Sequence, residues 1–191
     1  MPRSFSMLEG EDNLIREAQS GQAQAFDALY SHYLSPIYRF IYMKVTHREE
    51  AEDLTHEVFL SAWQNIGSFK PQGFPFSSWL YQIARNRVID HYRLKKPQVE
   101  LEAAEGKEEF VRGAAQIENR LEQELSLEKI KAALRRLSHD QQDVLLMRFM
   151  EDLSHQEIAA AFGKSEGAVR LIQHRAVKEL KKLLNDQGIL S

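Results

Sequence analysis

The chain has 191 residues, 43% of them hydrophobic, which suffices for packed cores and for either one large domain or two small ones. Cysteine is absent, which excludes disulfides, zinc–thiolate sites and thiol catalysis and fits a reducing compartment. No apolar run approaches the roughly 18 residues of a membrane span, and the start MPRSFSMLEGED lacks the apolar core of a signal peptide, so a soluble, cytoplasmic protein without membrane insertion is expected. The net charge of −3 conceals an uneven distribution. Residues 1–69 hold 5 Lys/Arg against 10 Asp/Glu, 70–96 hold 6 against 1, 97–126 hold 3 against 8, and 153–182 hold 6 against 3. Two basic blocks are two local positive fields, and the local field attracts phosphate whatever the net charge.

In chain order, Leu14, Ile15 and Ala18 predict a helix over Asp12–Ser20 that Gly21 ends. Phe26, Leu29, Tyr30, Tyr33, Ile37 and Ile41 then mark one face of a longer helix that continues in spite of Pro36. A third helix runs from Arg48 to about Ile66 and buries Ala51, Val58, Ala62 and Ile66. Its opposite face carries Glu49, Asp53, His56, Glu57, Leu60 and Gln64, with Trp63 alongside. An apolar anchor ringed by acids fits a basic partner surface better than plain solvent. His56-Glu57 does not extend to a zinc-protease pattern, because Leu60 stands where the second histidine belongs. With no nucleophile and base constellation either, neither an enzyme nor a cofactor is expected.

The loop SFKPQGFP, with two prolines and a glycine, leads into a fourth helix over Phe76–Tyr92 that packs through Leu80, Ile83, Ala84 and Val88. Its outward face is Ser78, Gln82, Arg85, Asn86, Ile89 and Arg93. Trp79, Tyr81 and Tyr92 alternate with Arg85, Arg87, Arg93, Lys95 and Lys96, and Phe69, Phe74 and Phe76 surround the loop. Rings that stack on unpaired bases and cations that hold the backbone suit single-stranded nucleic acid. Taken singly, each ring also fits core packing, so the polar face is the stronger signal. From Pro97 to about Ser126 the apolar period fades and acids accumulate, which marks a flexible tether. With no alternating strand pattern anywhere, the expectation is an all-α protein of two small helical domains, 1–96 and 127–191, joined by the acidic linker 97–126.

Beyond the tether, Leu127, Ile130, Leu134 and Leu137 mark an amphipathic helix. The tripeptide LSH then occurs twice, and Ser138 and Ser154 are followed three residues later by Gln141 and Glu157. Both are capping boxes and predict helix starts at about His139 and His155. In SHQEIAAAFGKSEGAVRLIQHR, Ile158, Ala159 and Phe162 give the first helix a core face, Gly163 turns the chain and Ser165 caps the second helix. Val169, Ile172, Ala176, Leu180 and Leu183 face inward; Gly167, Arg170, Leu171, His174, Lys178 and Lys181 face outward, with Arg175 at the edge. That outward face suits a major groove: arginine for guanine, leucine for a thymine methyl, lysines for phosphates, and glycine for close approach. A hairpin with a merely solvated basic face explains the spacing too, but capping, turn and charge together favour DNA.

Three stretches, AEDLTHEVFLSAW (51–63), FSSWLYQIARNRVIDHYR (76–93) and LSHQEIAAAFGKSEGAVRLIQHRA (153–176), closely resemble bacterial sigma-70 family factors of the extracytoplasmic-function (ECF) group. The resemblance covers about residues 10–96 and 127–184. It implies a sigma-2 and a sigma-4 domain in a transcription initiation factor that binds core RNA polymerase, recognises promoter DNA and helps to open it. Carried over by position, Asp53, Glu57, Leu60 and Gln64 lie where sigma-2 docks on the polymerase β′ clamp helices. Phe74, Phe76, Arg85, Asn86 and Arg93 lie where the minus-10 element is opened and a flipped base is captured. Ser165, Gly167, Arg170, Leu171, His174, Arg175 and Lys178 belong to the minus-35 reader, whose domain also meets the β flap. The resemblance further implies an anti-sigma partner and a tether threaded through the polymerase. His56 replaces a frequent glutamine, Ser165 a frequent proline, and Leu171-Ile172-Gln173 a more polar and basic run. A stand-alone helix-turn-helix regulator is the rival reading, in which 127–184 binds duplex DNA and 1–96 is a dimerisation or ligand module.

Overall fold

The computed structural model describes residues 8–70, 75–95 and 127–186, and every regular element among them is helical. Helix α1 (Glu11–Gln19) carries Glu11 and Asp12 in its first turn, where the helix dipole favours acids, and ends before Gly21, whose φ of 91° few other residues adopt. Helix α2 (Ala23–Tyr42) runs straight through Pro36. Packing outweighs the lost backbone bond there, because Leu29, Tyr33, Ile37, Phe40 and Ile41 are all buried. Helix α3 (Arg48–Asn65) passes into a 3-10 turn at Ile66–Ser68. The Gln19 amide of α1 donates to the carbonyls of Ile66 and Phe69 at 3.0 and 2.8 Å, which pins the chain just before the loop into α4 (Phe76–Lys95). Helices α1 to α4 form the first bundle, as expected.

The second bundle comprises α5 (127–135), α6 (His139–Phe149), α7 (His155–Phe162) and α8 (Glu166–Asp186). Both capping boxes close, Ser138 with Gln141 and Ser154 with Glu157, and the helices start at the expected histidines. Gly163, at φ 60°, turns the chain out of α7, and the Ser165 hydroxyl accepts the Ala168 amide at the start of α8. The expected tether, 97–126, lies outside the described residues.

The two bundles are packed together, α7 against α4. In α6 every residue from Gln142 to Met147 is buried, six in a row. One-sided packing buries only a stripe of a helix, so α6 is covered twice. Helix α8 lies against one side, and Lys44 and Arg85 of the first bundle reach Asp143 on the other.

Candidate nucleic-acid and partner interfaces

The acidic stripe of α3 is exposed along its whole length. Asp53, Glu57, Leu60 and Gln64, spaced 4, 3 and 4 apart, share one face, and Leu60 is 49% exposed. Val58, Phe59 and Ala62 hold the opposite face in the core, so the stripe is displayed on a rigid element. Trp63 rests on Phe26 with ring centroids 4.9 Å apart, and with Tyr30 and Asp27 it lines a shallow apolar groove beside the stripe. This combination suits a basic, partly apolar helix or strand, since an apolar contact supplies affinity and the flanking acids supply orientation.

The residues expected to meet unpaired bases divide in three. Phe74 lies outside the described residues. Asn86 and Arg93 are exposed on α4, with Asp90, three residues away, 3.6 Å from Arg93. Arg85 is placed otherwise than the helical wheel suggests, and Phe76 takes the core-packing alternative. Phe76 is 1% exposed and packs against Tyr33, Phe69 and Trp79 at 5.3–5.6 Å, so it is a core ring and has no face to offer a base. The first turn of α4 is held against α2 and Phe69, the residue after the 3-10 turn, by these ring contacts. Ser78, expected on the outward face, is 1% exposed and donates to the Glu157 carbonyl at 3.0 Å. Arg85 is turned into the seam between bundles. Its Nε meets Asp143 at 2.9 Å, its Nη2 meets Asp140 at 2.5 Å, and its guanidinium lies over the Phe162 ring at 4.8 Å.

Three buried charges in that seam are not apparent from the sequence pattern. Lys44 and Asp143 pair with no side-chain exposure on either, and Glu151, also without exposure, accepts both Nε and Nη2 of Arg39 at 3.2 and 2.8 Å. Burial pulls the Lys44 ammonium below its ordinary value, while the Asp143 carboxylate works to restore it. At Asp140, partial burial favours the acid form, but hydrogen bonds and charge from Arg85 and Lys164 more than reverse this and hold its carboxyl below the usual value. The available signals are Lys44 inside the apolar run IYMKV and Asp143 inside QQDVLLM.

The helix-turn-helix presents its outward face as expected. Ser165, Gly167, Arg170, Leu171, His174, Arg175 and Lys178 are all exposed, Leu171 by 49%. Arg170 lies 3.2 Å from Glu166 one turn earlier, a surface pairing that a guanine edge or a phosphate readily displaces. Gln173 turns away from this face, its Oε1 2.5 Å from Nε2 of His155, and Ile172 packs on the core. Of the unusual run Leu171-Ile172-Gln173, only Leu171 reaches the reading surface.

Residues 29–97 match sigma-70 region 2, and residues 133–182 match sigma-70 region 4. The ECF RNA polymerase sigma factor BldN of Streptomyces coelicolor is 40% identical over 179 residues, which cover 92% of this chain and 66% of BldN. The ECF RNA polymerase sigma factor SigW of Bacillus subtilis is 32% identical over 179 residues, covering 90% of this chain and 95% of SigW. Among solved structures, CnrH in complex with the cytosolic domain of CnrY matches with a TM-score of 0.71 at 25% identity, over 93% of this chain and 98% of that one. The sigma factor RpoE in complex with the anti-sigma factor NepR from Bartonella quintana shares the fold, with a TM-score of 0.62 at 23% identity over 84% and 96% of the two chains.

Proposed function

The chain belongs to the ECF group of the sigma-70 family, and on that premise we propose that it brings core RNA polymerase to its own promoters and assists their opening, with no chemistry of its own. The observation that carries this reading is the presence of both sigma regions in one chain and in order, each with its own displayed surface. A lone helix-turn-helix regulator has no use for the acidic stripe on α3, and its dimer would need an interface that the first bundle does not suggest.

In this reading residues 1–96 form the core-binding and minus-10 domain, and 127–191 form the minus-35 domain. Asp53, Glu57, Leu60 and Gln64 dock on the β′ clamp helices, with Trp63 extending the apolar contact. Asn86 and Arg93 hold the opened strand near the minus-10 element, with Phe74 as the candidate ring for a flipped base. Arg170, Leu171 and His174 read base edges while Arg175 and Lys178 neutralise phosphates, and the second bundle also meets the β flap. An anti-sigma partner that clasps the two domains is the expected regulator, and the cytoplasm the expected place of action. No helix among the described residues is long and apolar enough to cross a membrane.

Run-off transcription with purified core polymerase over a promoter library tests the proposal. Initiation at a defined subset of templates, dependent on this chain, is expected. Tight binding to a duplex operator as a dimer, with no effect on core polymerase, would overturn it.

A further inference from the structure

A polar side-chain contact joins the two helices of the reading hairpin. Nε2–H of His155 donates to Oε1 of Gln173 at 2.5 Å, and both residues are half-buried. His155 is the first residue of α7 and has little freedom there, since Ser154 and Glu157 close the capping box around that turn and the Glu157 carbonyl accepts from Ser78. Gln173 lies on the shoulder of α8, with buried Val169 and Ala176 on one side and Arg170 of the reading face one turn back. His174, a second reader, follows it directly. The hydrogen bond is not what brings the helices together, because α7 and α8 are already packed with Ile158, Ala159, Val169 and Ala176 in the core.

The chemistry of the held group gives the contact its meaning. A glutamine amide reads adenine with both of its ends, the oxygen accepting from N6 and the nitrogen donating to N7. In the hairpin the oxygen is already taken by the imidazole, which leaves only the donor half. Gln173 is also the sole carboxamide between Glu166 and Ala176, the turns of α8 that carry Arg170, Leu171 and His174.

We propose that His155, which stands outside the reading helix, is a specificity-determining residue of the minus-35 grip: by holding the Gln173 oxygen it keeps an adenine-reading amide out of the groove. The readout is left to Arg170, Leu171 and His174. The inference rests on reading α8 as the minus-35 helix and adds to it a positioning residue that touches no base itself. Drawing Gln173 out leaves the half-buried His155 donor unpaired, a cost comparable with what an adenine contact returns. The two nearly cancel, so Gln173 adds little to base preference while His155 is present. Without His155 the cost disappears and the adenine contact remains.

The full chain with core polymerase tests this in run-off transcription. The template pool has a randomised minus-35 element and a transcribed barcode, so sequencing the products gives a base preference at each position. Wild type, His155→Ala, Gln173→Leu and the two changes together are compared. With His155→Ala, preference for adenine at one position should rise about tenfold, while Gln173→Leu should leave every position within about twofold of wild type. The double variant should return to the wild-type profile, because the reader gained by the first change is removed by the second. A hydrogen bond that merely braced the hairpin would instead make the two single variants alike. An unmoved profile in His155→Ala, a double variant that keeps the adenine gain, or a loss of adenine preference in Gln173→Leu alone overturns the proposal. Should His155→Ala lose its helical circular dichroism, His155→Phe, which keeps a ring and drops the donor, takes its place alone and in the double variant, with the same outcomes deciding. A wild type that starts no transcription sinks the sigma assignment and this inference together. Minus-35-dependent initiation with a profile unmoved by the change at position 155 sinks this inference alone.

Discussion

Gly167 provides a test in which stability and function should move in opposite directions. It lies in the first turn of α8, outside the positive-φ region, and no atom lies within 4 Å of the place a Cβ would occupy. The fold therefore does not ask for glycine here. Gly167→Ala removes backbone freedom from the unfolded chain at no cost in the folded one, a gain of about 0.4–1 kcal/mol. For a chain of this size, about 2–4 °C per kcal/mol puts the rise in Tm at roughly 1–4 °C. The same methyl is added to the exposed face that carries Arg170 and Leu171, the face proposed above to enter the DNA groove. Holding the helix off by even part of a methyl radius spoils hydrogen bonds to base edges, each worth about 1–3 kcal/mol of discrimination. The expected outcome is a higher melting temperature by circular dichroism and at least about a tenfold loss of minus-35-dependent transcription. A lower Tm would mean that the fold does require glycine at this position. A higher Tm with undiminished transcription would show that DNA does not approach Gly167 closely, and the assignment of this face would fail.

Three further expectations concern single side chains. Asp53→Arg reverses a charge in the α3 stripe and should abolish recovery of core polymerase in a pull-down, while its exposure keeps the stability change within about 0.5 kcal/mol; unchanged recovery would remove α3 as the docking face. Arg170→Ala gives up only a surface pairing with Glu166, so Tm should hardly move, but use of the minus-35 element should weaken by about 1–3 kcal/mol and its base preference should shift. Equal transcription from matched and altered minus-35 templates by both proteins would refute that role. Ser154→Ala opens the capping box of α7 and should cost about 1 kcal/mol in urea unfolding; a cost near zero would mean that α7 is held by its packing alone.

What the sequence makes legible is local. The capping boxes at Ser138 and Ser154 join groups three residues apart, so both partners of each bond are visible in one short string. The apolar periods of α2, α3 and α8 likewise place their own core faces, and the outward stripes follow by subtraction. Phe76 shows where this stops: its ring fits a stacking platform or a core equally well, and only the positions of Tyr33, Phe69 and Trp79 around it decide for the core. The wheel of α4 places Ser78 and Arg85 outward because it knows nothing of the second bundle, whose packing brings in residues 55 to 79 positions away. The apparent specificity run Leu171-Ile172-Gln173 shrinks for the same reason, because His155 holds Gln173 away from the reading face.

The uneven charge along the chain acquires a physical sense from these contacts. In the first basic block Arg85 is paired with Asp140 and Asp143 of segment 127–152, while Arg87 lies 3.9 Å from Glu57 and Arg93 3.6 Å from Asp90. In the second block Lys164 lies 3.4 Å from that same Asp140 and Arg170 pairs inside its own helix, while Arg175 and Lys178 stand exposed on α8. Two positive fields of similar size therefore differ in availability. The field on α8 acts at a distance and is weakened by salt like any exposed charge. Arg85, paired in the seam, adds little to such a field, so what the first block shows to solvent is carried by exposed residues such as Arg93.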